Sequence, residues 1–236
     1  MTDWPYVALG DSISIDEYAG GPGRGGASLL FRNRDDDFPQ WRGRDLVSRR
    51  DGATLTLLAS DGATTRTLLD VQLPRLRAVQ LRPALVTLTI GGNDLLQCYG
   101  DTPSALRVVR HVGTAVDRAL GELSPLLGQD ARVVVGTVYD PSDGTGDAAR
   151  LGLPPWPDAV GLIGELNAVL RDTAQAHGAA VAEIAALFSG HGLLGGDPAD
   201  PRPRPASRSS WFCSVIEPNA WGADGVRAAF AAAVPL

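Results

Sequence analysis

The chain has 236 residues, of which 44% are hydrophobic, and a formal net charge of −6 at pH 7. This length suits one large domain, over residues 1–236, with a sizeable core. The negative charge gives no electrostatic reason to expect nucleic acid or an anionic membrane as a partner. Cys98 and Cys213 have neither metal-site nor disulfide-framework spacing. No apolar run is long enough for a membrane span, and no secretion signal is visible, so we expect a cytoplasmic protein.

Apolar runs alternate along the chain with longer stretches of helical character, which is typical of a parallel sheet covered by helices. The predicted strands are residues 6–9, 54–58, 85–90, 132–138 and 179–184. The predicted helices are residues 64–80, 103–127, 158–177 and 219–233. Five β/α units in one domain predict an α/β fold, a three-layer α/β/α sandwich around a five-stranded parallel sheet.

Three connections, residues 14–50, 139–157 and 189–214, are too long to be simple turns. Long connections in compact α/β domains are usually functional or mobile. The last contains a proline-rich stretch, residues 197–205, that suits neither a helix nor a central strand. It is interpreted either as an extended flap over the site or as an ordered surface loop without a role.

A serine follows the first predicted strand, in Gly10-Asp11-Ser12. In open parallel sheets, ligands bind at this carboxyl edge of the strands. The stretch lacks the final glycine of the Gly-x-Ser-x-Gly nucleophile elbow, because Ser14 stands in its place. Aspartate and serine also favour helix caps, so this motif alone indicates either a nucleophile or a turn.

Two further motifs follow the second and third predicted strands. Gly62 lies in Ser60-Asp61-Gly62-Ala63, and Asn93 lies in Gly91-Gly92-Asn93-Asp94. Glycine lets the backbone approach a ligand closely, and the asparagine amide can donate to a developing oxyanion. Each motif taken singly also suits a turn or a cap. All three follow strands of one parallel sheet and are therefore expected at the same edge.

This joint occurrence resembles the SGNH (GDSL) hydrolase family. The resemblance implies a flavodoxin-like SGNH hydrolase fold, with Ser12 as the nucleophile and with Ser12, Gly62 and Asn93 holding the oxyanion. It extends to residues 214–222, where family members typically read Asp-x-x-His-Pro-Asn followed by a glycine. Here Ser214 stands in place of the aspartate and Glu217 in place of the histidine, while Pro218, Asn219 and Gly222 keep the alignment of the block.

A serine hydroxyl needs an adjacent base to become a good nucleophile, and two residues can replace the missing histidine. Glu217 can act directly as the general base if burial or a carboxylate such as Asp11 raises its pKa. Alternatively, Glu217 has a substrate-binding or structural role. His191, between two glycines in the last long connection, can reach Ser12 with Glu217 orienting its ring, or it is an exposed loop histidine. His111 and His177 are interpreted as structural.

The sequence thus predicts a serine hydrolase of the esterase or deacylase type, with an acyl-enzyme on Ser12 and Glu217 or His191 as an atypical base. One alternative is an acyltransferase that uses the same serine, because a weak base is poorly suited to activating water. Another is a non-catalytic ligand-binding module on a decayed scaffold. A small-molecule ester is the expected partner, and no cofactor or metal is expected. Trp156 and Trp211 are expected in loops beside the site.

Overall fold

The computed structural model describes residues 3–193 and 210–234. Its main sheet has five parallel strands in the order β2-β1-β3-β4-β5. They are β1 (Trp4–Gly10), β2 (Ala53–Leu57), β3 (Leu85–Thr89), β4 (Arg132–Gly136) and β5 (Ala180–Ala182). All five predicted strands are therefore present, and the predicted α/β class and five-stranded parallel sheet are confirmed. The proline-rich stretch at residues 197–205 lies outside the described residues.

Helices cover both faces of the sheet. Successive strand residues point to opposite faces, so each strand contributes apolar side chains to two cores. Val7, Leu9 and Val86 belong to the core under one helical layer, and Tyr6, Ala8 and Leu85 to the core under the other. The first layer contains α3 (Thr65–Thr67), a π-helical turn (Leu68–Gln72), α4 (Leu73–Ala78), α5 (Gly92–Leu96), α6 (Thr102–Leu123) and α7 (Asp158–Ala176). The second contains α1 (Gly26–Phe31), α2 (Leu46–Arg49), α8 (Ile184–Phe188) and α9 (Ala220–Ala233).

Several element boundaries differ from the predictions. The predicted strand 179–184 ends early because Ile184 begins α8, where Ile184 and Phe188 face the core four residues apart. The predicted strand 132–138 ends at Gly136, since the Asn167 side chain bonds both the N–H and the carbonyl of Val138. The predicted connection 14–50 contains two short α-helices, α1 and α2, and a 3-10 helix (Pro39–Trp41) between them. A hairpin of β6 (Phe212–Cys213) and β7 (Glu217–Pro218) precedes α9.

The chain reverses its direction of travel across the sheet at β1, which pairs with β2 on one side and β3 on the other. Such a switch point opens a crevice beyond the carboxyl ends of the strands, where ligands bind in open α/β sheets. Gly10 ends β1 with φ 118°, and a Cβ there would lie 1.9 Å from the carbonyl oxygen of Thr89. Glycine therefore lets the end of β1 lie directly against the end of β3.

No helix in the described part of the chain is both long enough and apolar enough to cross a membrane. Nor do residues 3–193 and 210–234 gather three or more histidine, cysteine, aspartate or glutamate side chains in a cluster that could hold a metal ion.

Candidate active site

Ser12 lies just beyond the end of β1, in a tight turn at the switch point. The turn is held by the bond from the Ser14 N–H to the Asp11 carbonyl and by the bond from the Ile13 N–H to the Asp11 carboxylate, at 3.2 Å each. Ser12 is 6% exposed and lines a cavity together with Asp11, Asn93 and Glu217. The structure therefore places three of the predicted site residues, Ser12, Asn93 and Glu217, around one space.

Asn93 and Asp94 tie the loop after β2 to the loop after β3. The Asn93 side-chain amide donates to the Ala63 carbonyl at 3.0 Å. The Asp94 carboxylate accepts from the Thr65 N–H at 3.0 and 3.2 Å and from the Thr65 hydroxyl at 2.6 Å. These bonds fix the Gly62 loop beside Asn93, at the same edge of the sheet as Ser12.

The backbone amides of Ser12 and Gly62 share a property that suits anion binding. No acceptor within residues 3–193 and 210–234 takes the N–H of either residue. Gly62 is exposed and has φ +64°, and it is not among the described residues that line the cavity. The predicted oxyanion role of Ser12, Gly62 and Asn93 stays a prediction.

Glu217 lies on β7, in the hairpin that carries it to Ser12. Its half-buried carboxylate lies near the Ser12 hydroxyl, and both residues line the cavity. Burial raises the pKa of Glu217 above its usual value, the neighbouring Ser12 hydroxyl partly opposes this, and the nearby negative charge of Asp61 raises the pKa further. Glu217 therefore lies near the serine and is made more basic by its surroundings.

Asp11 is a second, fully buried carboxyl group beside Glu217. Burial raises the pKa of Asp11 to about 7, although hydrogen bonds with Thr89 and Ile13 oppose the shift; the charge of Glu217 adds to it. Because the neutral form of Asp11 is favoured in the folded protein, the two neighbouring carboxyl groups need not both be charged below neutral pH.

We expect Asp11→Asn to remove a pH dependence of stability. The folded pKa of about 7 lies above the ordinary value of 3.8, so the folded state binds the proton more tightly and stability falls as pH rises between these values. Between pH 5 and pH 8 this group should lower the free energy of unfolding by about 2 to 3 kcal/mol. Urea unfolding at both pH values, with exposed Asp36→Asn as the control, measures the difference. Parallel pH curves for wild type and Asp11→Asn would contradict the buried, neutral Asp11.

Tyr139 holds the Glu217 segment in place, and the sequence reasoning did not find it. Its hydroxyl donates to the Ile216 carbonyl, while its ring stacks on Phe188 with 4.5 Å between centroids and meets Phe212 edge-on at 4.9 Å. The available signal was weak: an aromatic residue just after the fourth strand, at the start of a long connection. Tyr139 thus links the end of β4 to the residue before Glu217.

The structure does not place His191 beside Ser12. The His191 ring is buried and stacks on Trp211 with 3.9 Å between centroids, and His191 is not among the described residues that line the cavity. Trp211 also packs edge-on against Phe188. Of the two tryptophans expected beside the site, Trp156 lines the cavity and Trp211 packs against His191.

The cavity encloses about 930 Å³, including the part open to solvent. The polar groups Asp11, Ser12, Asn93 and Glu217 lie at the sheet edge, and much of the remaining lining is apolar. A serine with a neighbouring carboxylate and nearby N–H donors can support nucleophilic attack on a carbonyl carbon. Within the described residues, the lining contains no lysine, arginine or histidine.

Fold and site together define a three-layer α/β protein with a serine-centred cavity at the switch point of its sheet. Residues 8–224 match the GDSL-like Lipase/Acylhydrolase family, and the chain belongs to that family. It is therefore a GDSL-type carboxylic ester hydrolase. A comparison with curated proteins gave no match.

Similar solved structures share the fold at low sequence identity. Phospholipase A1 from Streptomyces albidoflavus NA297 is 23% identical with a TM-score of 0.63, and the match covers 99% of this chain and 100% of that one. An extracellular lipase from Streptomyces rimosus is 23% identical with a TM-score of 0.61, covering 98% and 100%. An acetylxylan esterase from Geobacillus stearothermophilus is 16% identical with a TM-score of 0.65, covering 99% and 94%.

Proposed function

We propose that this protein hydrolyses a small carboxylic ester through an acyl-enzyme on Ser12, with Glu217 as the general base. The observation that carries the proposal is the proximity of the Ser12 hydroxyl to the Glu217 carboxylate, inside a cavity that both residues line. A nucleophile and a base within hydrogen-bond reach are the geometric requirement for activating a serine.

In the proposed reaction, the Ser12 oxygen attacks the ester carbonyl carbon while Glu217 takes the hydroxyl proton. The resulting tetrahedral intermediate collapses, and Glu217 returns the proton to the alkoxide that leaves as the alcohol. Glu217 then takes a proton from water as the water oxygen attacks the acyl-enzyme, and the acid leaves when the Ser12 oxygen recovers the proton. Each proton that leaves an oxygen passes through Glu217, so no further acid or base is needed.

The oxyanion of the intermediate would be bound by the N–H groups of Ser12 and Gly62 and by the Asn93 side-chain amide. The two backbone N–H groups have no acceptor in the described part of the chain, and the Asn93 amide is held in place by the Ala63 carbonyl. Donors that are fixed before the reaction need no reorganisation, and one such donor is typically worth about 10²–10³ in rate.

The raised pKa of Glu217 favours the proposed role. An ordinary carboxylate is a weak base, and catalysis is most efficient when the pKa of the base lies near the working pH. Histidine, the usual base of the family, has an ordinary pKa of about 6.5 and needs no such shift. Burial and Asp61 both raise the pKa of Glu217. The surroundings of Glu217 therefore make this carboxylate a stronger base than an ordinary glutamate.

The proposal is tested by labelling with a fluorophosphonate, which is attacked by an activated serine and loses fluoride. We expect one covalent adduct, located at Ser12 by peptide mass spectrometry, and no adduct in Ser12→Ala. The matched control is Ser189→Ala, because Ser189 is exposed and does not line the cavity; this variant should label like the wild type. Labelling elsewhere, or no labelling of a protein that hydrolyses esters, would show that Ser12 is not the nucleophile.

A further inference from the structure

Much of the cavity lining is apolar and comes from several elements of the fold. Leu95 and Leu96 come from α5, Ala159 and Ile163 from α7, and Val215 from the turn between β6 and β7. We propose that this apolar lining binds a hydrocarbon chain of about six carbons or more, so that the substrate is a medium-chain ester. The inference rests on the proposed function of Ser12.

Two aromatic residues line the cavity, and their polar atoms are bonded to other residues of the protein. The Trp156 indole N–H donates to the Thr102 hydroxyl at 3.0 Å, and the Tyr99 hydroxyl donates to the Pro154 carbonyl at 2.6 Å. The two rings meet edge-to-face with 5.1 Å between centroids. Because both donors are already bonded, this wall offers the ligand aromatic surface in place of hydrogen bonds.

The polar residues in the loop after β4 are also bonded within that loop. Asp140 accepts from the Ser142 N–H at 2.8 Å, from the Ser142 hydroxyl at 2.6 Å and from the Gly144 N–H at 2.7 Å. The Ser142 hydroxyl oxygen in turn accepts a hydrogen bond from the Gly146 N–H at 2.8 Å. Their partners hold the loop in shape, so these groups do not form a set of donors and acceptors directed at sugar hydroxyls.

Chemistry and chain binding therefore occupy different parts of one cavity. The polar residues Asp11 and Ser12 follow β1 and Glu217 lies on β7, whereas much of the apolar lining comes from α5, α7 and the turn between β6 and β7. An ester whose carbonyl faces Ser12 and Asn93 can place its hydrocarbon chain between Leu96, Trp156 and Ile163. An acetyl ester of a polar alcohol would leave these walls uncovered.

The test compares the dependence of kcat/KM on chain length in two series. In p-nitrophenyl esters the acyl group is extended from acetate to octanoate, and in alkyl acetates the alcohol is extended from ethyl to octyl. Each buried methylene contributes up to about fourfold, and we expect at least about a tenfold rise over six carbons in one series. The series that rises identifies whether the acyl or the alcohol chain occupies the cavity. Flat kcat/KM in both series would overturn the proposal.

Variants then locate the chain in the cavity. Ala159→Phe fills space between the walls and should lower the octanoate-to-acetate ratio of kcat/KM by about tenfold or more; for an alcohol chain, the octyl-to-ethyl ratio falls instead. The matched control is Ala168→Phe on the exposed face of the same helix, which should keep the ratio. Leu96→Trp is the second filling variant, because Leu96 is 38% exposed at the rim and a larger side chain there need not disturb the core. An unchanged ratio in both folded filling variants would overturn the assignment.

A binding measurement separates this proposal from the proposed function. In the Ser12→Ala variant, 2-octanone should raise the melting temperature more than 2-butanone at the same concentration, and Ala159→Phe added to Ser12→Ala should abolish the difference. This result would support the hydrocarbon site even if no ester were hydrolysed and no fluorophosphonate adduct formed, which would refute only the role of Ser12. Equal shifts for the two ketones would overturn the hydrocarbon site and leave the role of Ser12 intact.

Discussion

Ser12→Ala is expected to lower kcat for ester hydrolysis by at least about 10³-fold and to leave the melting temperature within a few degrees of the wild type. The loss is large because the proposed pathway passes through a covalent bond to the Ser12 oxygen, and removal of such a nucleophile can cost as much as about 10⁶. The fold should survive, since the turn that contains Ser12 is held by bonds from the Ser14 and Ile13 N–H groups to Asp11, which the variant keeps. Release of p-nitrophenol and thermal unfolding measure the two quantities.

Ser189→Ala serves as the control for Ser12→Ala, because it removes an exposed serine hydroxyl outside the cavity. It should retain the wild-type rate. Hydrolysis by Ser12→Ala at the wild-type rate would contradict the acyl-enzyme. It would favour direct attack by a water molecule that Glu217 activates. Unchanged ligand binding with no activity in either protein would instead favour a non-catalytic binding module.

Glu217→Gln is expected to lower kcat/KM by about 10²–10⁴-fold, the usual contribution of a positioned general base. Glutamine has nearly the same shape and can still accept a hydrogen bond from Ser12, but it cannot take the proton. The folded protein should tolerate the change, because the variant removes a half-buried charge that lies near Asp11 and Asp61. A normal melting temperature with a reduced rate would therefore indicate loss of proton transfer.

The pH profile gives a sharper test of Glu217 than the rate alone. The base must be ionised, so kcat/KM of the wild type should fall as pH drops through the pKa of Glu217. Because burial and Asp61 raise that pKa, the acid limb should lie above pH 4.5. In Glu217→Gln the limb set by this residue should disappear. The profile is measured from pH 4 to pH 9 with a p-nitrophenyl ester, within the pH range where each variant stays folded.

Two further variants accompany the pH profile. Glu165→Gln makes the same change at an exposed position of α7 and should behave like the wild type. His191→Ala removes a ring that stacks on Trp211, so we expect lower stability with an unchanged acid limb. Loss of the acid limb in His191→Ala, with the limb retained in Glu217→Gln, would assign the base to His191 and refute our assignment.

Much of the fold could be predicted because local patterns and the global arrangement agree. The apolar strand runs and the helical stretches between them gave five parallel strands, and parallel pairing brings strand ends to one edge. Ser12, Asn93 and the Gly62 loop could be placed together for that reason. The position of Glu217 followed from the alignment of residues 214–222 rather than from any periodicity.

The rest of the site depends on contacts between distant segments, which no local pattern encodes. Tyr139 acts on Ile216 through one hydrogen bond across 77 positions of the chain, and its neighbours in sequence do not indicate this partner. The sequence leaves His191 either as a base that reaches Ser12 or as an exposed loop histidine, yet its ring is buried against Trp211. The boundary at Ile184 was missed for a related reason, since an apolar run fits both a strand end and a helix that packs on the core.

Ser12 and Glu217 come from distant parts of the chain, Ser12 from the turn after β1 and Glu217 from the hairpin directly before α9. That helix packs against α1, where Val226 lies against Gly26. The parallel sheet can form before that event, because all five strands precede residue 183. In the proposed mechanism, a chain whose sheet has formed but whose α9 has not packed against α1 would therefore lack the proton acceptor of Ser12.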